Sequence, residues 1–392
     1  MDIHKAAESG DTEKVRSLLD ARRGPRRRGV RVDERDKYGF TALHCAARNG
    51  HAETVALPLE RGADVNARTD SGLAPLHWAA SGGHTEAVAL LLDQGADIEA
   101  RDETGRSPLH MAVQWGDVAG MSLLLDRGAD IHARTQHGGT PLGAAVSSGR
   151  PEVAALLLAR GADPLADAGD WPLLFAAAMG HQHWAVAMLL DLGADVNAAC
   201  GDGKTALRVA AQNGDTETMA LLLAHQADVH VRDSYGTSAL DMAARYGQTE
   251  AVALLLDHGA DAGAVHRDGR TVLHVAAAAG ETAVIDLLLA RGVDVNARDE
   301  DGLAALHVAA VLGQTVSVAL LIDRGMDANT RVVGGITPLH LAAAAGETEV
   351  IAMLLARGVD VNIRDDSGKT PLDCATECAK EEAAALLRER GG

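Results

Sequence analysis

Aromatic residues are almost missing from this chain of 392 residues: four tryptophans, three tyrosines and two phenylalanines make up 2% of it. Bulky rings normally fill the centre of a compact core. Their scarcity, within a composition that is 47% apolar and rich in alanine and leucine, points to thin layers of closely spaced helices. Long apolar runs are missing as well. No stretch approaches the ~18 uninterrupted apolar residues of a spanning helix, so no membrane segment is expected. The start "MDIHKAAESG" lacks a basic segment followed by an apolar run, so no secretory leader is expected. Cysteine is scarce: Cys45, Cys200, Cys374 and Cys378 form no CxxC pair and no disulfide framework. They are expected as reduced thiols in a cytoplasmic protein. Cys374 and Cys378, four residues apart on an expected helix, read as a small buried packing pair.

Positive charge is also in deficit. A net charge of −19 repels phosphate backbones and argues against nucleic acid as a partner. One stretch, "DARRGPRRRGVRVDERD", runs against that balance with Arg22, Arg23, Arg26, Arg27, Arg28 and Arg31. It reads either as a solvated insertion or as a nuclear-import or anion-binding signal.

What the chain has in abundance is itself. "TALH" at Thr41, "APLH" at Ala74, "SPLH" at Ser107 and "TPLG" at Thr140 follow one another at intervals of 33 residues. "WPLL" at Trp171, "TALR" at Thr205, "SALD" at Ser238, "TVLH" at Thr271, "AALH" at Ala304, "TPLH" at Thr337 and "TPLD" at Thr370 continue the series. Two intervals depart from 33: 31 residues from Thr140 to Trp171, and 34 from Trp171 to Thr205. In the copy "GGITPLHLAAAAGETEVIAMLLARGVDVNIRD", Thr337 is a helix N-cap and Pro338 takes the first helical position, where its missing N–H costs nothing. Gly346 ends this short helix. Val350, Ile351, Leu354 and Leu355 then recur at helical spacing, and Gly358 supplies a left-handed cap before an extended turn. One such unit cannot bury its apolar face alone; stacking does.

The motifs "G-x-T-P-L-H-x-A-A-x-x-G-H" and "L-L-x-x-G-A-D-V-N" recur over nearly the whole length, and on them the chain resembles the ankyrin-repeat family. The fold expected is all-α: a curved, elongated ankyrin-repeat solenoid of stacked helix-turn-helix units with β-hairpin-like fingers. With helices roughly 10 Å apart, the stack would be on the order of 100 Å long. A single domain is expected over 1–392: an N-terminal capping helix pair (1–23), an Arg-rich enlarged first finger or loop (24–36), ten full repeats (37–366) and a C-terminal capping repeat (367–392).

Departures from the repeat carry further expectations. Trp171 is read as replacing the N-cap threonine, and "HQHW" as adding one residue between the helices that follow. Gln226 falls where other copies have the cap glycine. Pro58 lies within a second helix and is expected to kink or fray it, at ~3 kcal/mol in a free helix.

Seventeen histidines invite a metal reading, but His44, His77, His110, His274, His307 and His340 occupy one recurring place. The family resemblance implies that this side chain ties adjacent repeats by hydrogen bonds. His51, His84 and His181 are read as opening second helices, and "HQH" at His181 to His183 lacks the third ligand that zinc requires. No nucleophile elbow, P-loop or HExxH is present. Hence no enzyme, catalytic residue, cofactor or metal is expected.

Function then rests on recognition by surfaces the stack does not need. Two positions after each "AA" are free, and among them Trp115 and Tyr246 are large aromatics of the kind that anchor interfaces. Val311 and Leu312, with the finger residues Leu303, Val333 and Ile336, make an apolar strip. Arg35, Arg68, Arg101, Arg134, Arg232, Arg298, Arg331 and Arg364 stand at the finger bases and read as surface residues paired with neighbouring aspartates. A monomeric, cytoplasmic scaffold or adaptor is expected, binding a protein or extended peptide in its groove and at its finger tips. The alternative is a nuclear or nucleic-acid-associated factor that uses the Arg22 to Arg31 loop.

Overall fold

The computed structural model describes residues 2–20 and 30–391. Those residues form 24 α-helices in twelve helix-turn-helix pairs and no sheet. Two isolated antiparallel bridges, Arg232 with Ser238 and Arg298 with Ala304, are the strand-like pairings among them. The chain divides into two compact units, Met1–Gly201 and Asp202–Gly392.

The first unit holds α1 (Ile3–Glu8), α2 (Thr12–Asp20), α3 (Ala42–Arg48), α4 (Ala52–Glu60), α5 (Pro75–Ser81), α6 (Thr85–Asp93), α7 (Pro108–Trp115), α8 (Val118–Asp126), α9 (Pro141–Ser147), α10 (Pro151–Ala159), α11 (Leu173–Met179) and α12 (His183–Asp191). The second holds α13 (Ala206–Asn213), α14 (Thr216–Ala224), α15 (Ala239–Arg245), α16 (Thr249–Asp257), α17 (Val272–Ala279), α18 (Thr282–Ala290), α19 (Ala305–Val311), α20 (Thr315–Asp323), α21 (Pro338–Ala345), α22 (Thr348–Ala356), α23 (Pro371–Glu377) and α24 (Glu381–Glu389).

Among the described residues no helix exceeds nine residues. Isolated helices of that length are unstable in water, so caps and neighbours must hold them. In α21 the N-cap Thr337 is extended (φ −108°, ψ 167°), Pro338 leads the helix, and Gly346 turns the chain at φ 90°. Ala342 and Ala343 on this helix, and Ala309 and Ala310 on α19, are fully buried. Side chains this small let successive first helices pack closely. Val350, Ile351 and Leu354 on α22 seal the layer between the two rows. First helices pack on first helices throughout each unit. Second helices do the same through the second unit and from α2 to α8 in the first, but this row loosens at α10 and α12.

Fingers close by two backbone bonds each where the N–H of Asp36, Thr69, Asp102, Asp233, Asp299 and Asp365 donates to the carbonyl four residues on, and the carbonyl of the same residue accepts from the glycine N–H three residues on. Adjacent tips are joined by further bonds, such as Asp70 N–H to Tyr38 (3.2 Å), Glu103 N–H to Ser71 (3.2 Å) and Asp366 N–H to Gly334 (2.9 Å).

Three irregular places differ from the sequence reading. The N-cap of α11 is Pro172, not Trp171, and the helix begins at Leu173. Counted from Pro172, the interval is 32 residues from Thr140 and 33 to Thr205, so one deletion replaces an apparent deletion and insertion. The missing residue is at the finger tip, where Ala168 N–H bonds Trp171 O, three residues on instead of four. "HQHW" contains no extra residue: His181 takes the left-handed turn position at φ 54° and Gln182 is the N-cap of α12. His181 therefore does not open a helix, although His51 and His84 are the N-caps of α4 and α6.

Pro58 does not fray its helix. The α4 helix has the same nine residues as its counterparts, with Pro58 buried inside it. The Pro58 carbonyl accepts from the N–H groups of Arg61 and Ala63, both at 3.0 Å, so the C-terminal turn closes normally. Gln226 adopts φ 64°, the left-handed conformation anticipated for it. Cys374 is half-buried and Cys378 exposed, so they are not the buried pair expected of them.

Candidate interaction surface

Each repeat is tied to the next by the fourth residue of its motif. In α3, His44 Nδ1 accepts from the Thr41 backbone N–H at 3.1 Å, while Nε2–H donates to the Leu73 carbonyl of the next finger at 3.1 Å. Both bonds together require the neutral Nε2–H tautomer. His77, His110, His274, His307 and His340 repeat the arrangement, their Nε2–H groups reaching Arg106, Gly139, Leu303, Thr330 and Lys369 carbonyls at 3.0–3.2 Å. Burial disfavours the imidazolium and lowers the pKa of all six, to about 4 for His44, His77 and His307.

Two repeats of the second unit replace this bond by buried charge. Arg208 stands at the histidine's place and meets Asp233 of the next finger at 2.9 Å, with both side chains buried. One repeat later the polarity reverses. Asp241 takes the histidine's place, and His266, where most fingers carry Asp or Thr, reaches its Oδ1 at 2.8 Å. Burial alone would raise the Asp241 pKa, but the His266 contact and the Ser238 donors outweigh it and hold the carboxyl below its ordinary range.

The arginines at the finger bases are not chiefly partners of aspartate. Arg68, Arg101, Arg134, Arg232, Arg298, Arg331 and Arg364 each donate to the carbonyl of a glycine four residues on, within the same finger. Arg68, Arg101 and Arg298 also reach the carbonyl of the corresponding arginine in the next finger. A guanidinium carries several donors in a fixed fork, which suits it to stitching two loops at once. Arginine–aspartate pairing occurs elsewhere, on the outer row of second helices. There Arg127 meets Asp93, Arg160 meets Asp126 and Arg357 meets Asp323 at 2.8 Å, Arg291 meets Asp257 at 2.9 Å, and Arg61 pairs with Asp20. Leu192 and Ala159 take these places between α10 and α12. A groove of about 730 Å³ opens there over Leu158, Met188 and Leu192.

Among the residues singled out for recognition, Trp115 belongs to the first unit and is 62% exposed at the end of α7. The others lie in the second unit. Tyr246 caps α15 at 51% exposure. In the apolar strip, Leu312 (51%) and Val333 (84%) are exposed, while Val311, Leu303 and Ile336 are half-buried. Val333 lies against Gly302 at the tip of the preceding finger. The basic-loop residues Arg22, Arg23, Arg26, Arg27 and Arg28 lie outside the described residues; Arg31 is exposed and its backbone bonds Glu34.

Sequence reasoning named the finger tips but not two aromatics on them: Tyr38 is 58% and Tyr235 78% exposed. Both precede a tip glycine, in "KYGF" and "SYGT", and that shared pattern was the available signal. It also passed over a recess of about 270 Å³ beside α15, α17 and α19. Among the described residues there is no group of three or more His, Cys, Asp or Glu side chains disposed to hold a metal ion, and no helix is long and apolar enough to cross a membrane.

Paired short helices, alternating with fingers and tied layer to layer at one recurring residue, define a helical-repeat protein. A family model described as ankyrin repeats in three copies matches residues 3–69, 59–135, 101–168, 130–200, 173–266 and 258–332. A second, ankyrin repeats in many copies, matches 321–375. The chain belongs to the ankyrin-repeat family, whose repeats typically mediate protein–protein interactions.

Proposed function

We propose that the chain is a non-catalytic scaffold or adaptor that binds a protein, or an extended segment of one, on the finger side of its second unit. The observation that carries this reading is the contrast between two faces. In the second unit the outer helices from α16 to α22 carry arginine–aspartate pairs with the single aliphatic Val316 exposed beside them, whereas the first-helix ends and finger tips expose Tyr246, Leu312 and Val333. Apolar side chains left on a solvated face beside polar fingers are the usual content of a recognition surface, and a few of them supply most of the binding energy. Val311, Leu303 and Ile336 form the half-buried floor, and Trp115 offers a separate anchor in the first unit. Occupancy of this face would let the protein bridge partners or block one, as a monomer in the cytoplasm.

The test is capture from a lysate of the native organism, with wild type beside a Val311→Asp/Leu312→Asp variant shown by circular dichroism to be folded. A partner held by the wild type and lost by the variant supports the site. Equal capture by both would remove it. If captured material is nucleic acid, lost with added salt and on neutralising Arg26, Arg27 and Arg28, the scaffold reading gives way to the basic loop.

A further inference from the structure

The recess beside α15, α17 and α19 differs from the rest of the finger side in its charge. Arg245 and Arg270 line it, over a floor of Val275, Ala278 and Val308. In the first unit, the finger arginine Arg106 is held by the aspartate four residues before it, Nε to Asp102 Oδ2 at 2.8 Å. Arg270 has no partner four residues before it, because His266 stands at that place and is committed to Asp241; its Nε–H donates instead to Asp299 Oδ2 of the next finger. Only its Nε approaches carboxylates, Asp268 at 3.6 Å and Asp299 at 3.5 Å, which leaves the terminal nitrogens unbonded to them. Arg245 is exposed, and among the described residues nothing pairs with it. The Asp241–His266 exchange thus has a surface consequence: it leaves Arg270 without a carboxylate partner in the i−4 place, facing one recess with Arg245 in a chain of net charge −19.

We infer that this recess receives the carboxylate of an aspartate or glutamate in an extended partner segment, on the same face that the proposed function assigns to recognition. Two guanidinium groups match a carboxylate with charge-assisted, fork-like hydrogen bonds. Asp268 at the rim and Asp299 against Arg270 Nε offset the two arginines, which disfavours a phosphate dianion, while the donors of Arg245 and the terminal nitrogens of Arg270 suit a single carboxylate. Val308 in the floor and Leu312 at the end of α19 are four residues apart, about 6 Å along the axis. Residues i and i+2 of an extended strand share a face at about 6.7 Å. The segment therefore carries an acidic residue and, two positions away, an aliphatic one that covers Leu312.

The experiment is selection from a random peptide-display library on the immobilised full chain. The strongest peptide and its form with the acid changed to the amide are then titrated, by fluorescence anisotropy, against wild type and an Arg245→Gln/Arg270→Gln variant of unchanged circular dichroism. The expected result is enrichment of acid–x–aliphatic sequences. The amide form should bind wild type about tenfold or more weakly, and the two forms should bind the variant alike. Peptides without an acid, an equal loss from the amide change against both proteins, tighter binding of a phosphoserine form, or a library that yields no binder would each overturn the inference. Binders that need Leu312 but no acid would overturn it while leaving the proposed function standing. Binders indifferent to both Leu312→Asp and the arginine variant would remove both.

Discussion

At the scale of single residues, the six neutral histidines make the stack sensitive to acid. Protonating His44 would put a proton on Nδ1, where the Thr41 N–H now donates, and would charge a buried ring. His44, His77 and His307 titrate near 4 in the folded chain, below the 6.5 of an exposed imidazole. Across that window the unfolded chain binds more protons, so stability is complete above about pH 6.5 and falls as pH drops toward 4. Each of the three accounts for up to about 3 kcal/mol. Urea midpoints should fall steeply between pH 7 and pH 4.5, and replacing His44 by glutamine should flatten the profile. A midpoint that stays level over this range would contradict the assigned tautomer.

Among the elements, α4 offers the sharpest contrast with its neighbours. Pro58 occupies the place filled by Leu91 in α6 and Leu124 in α8, and it cannot donate to the Thr54 carbonyl. Pro58→Leu restores a backbone bond at a place where the following repeats bury leucine and should stabilise the chain by about 2–3 kcal/mol in urea or thermal unfolding. A neutral or destabilising result would mean that α4 has adapted its packing to the ring. The helix pairs and their caps were legible in the sequence because Thr, Pro and Gly fall at the positions where backbone geometry demands them, as at Thr337, Pro338 and Gly346. Legibility failed where that punctuation moved. With Pro172 as the N-cap and His181 in a glycine conformation, spacing alone suggested two errors, and only backbone dihedrals reduce them to one. The finger arginines were misread for a related reason. An arginine next to an aspartate in sequence says nothing about the carbonyls that a tight turn presents to it.

For the whole molecule, the family and the all-α repeat were plain from periodicity, whereas the recognition surface was legible only in part. Exposure of Trp115, Tyr246 and Leu312 follows from their register, because the repeat leaves those positions outside its core. The Arg245 and Arg270 recess does not follow from register. It arises from a swap of aspartate and histidine 25 residues apart, visible as a pair only when two repeats are stacked. The central claim is that a partner covers the finger side of the second unit. The most direct measurement is hydrogen–deuterium exchange of the chain alone and in complex with the captured partner. The prediction is slowed exchange in the segments around Leu303, Leu312 and Ile336. Protection confined to the outer helices, or to the segment from Arg22 to Arg31, would contradict it.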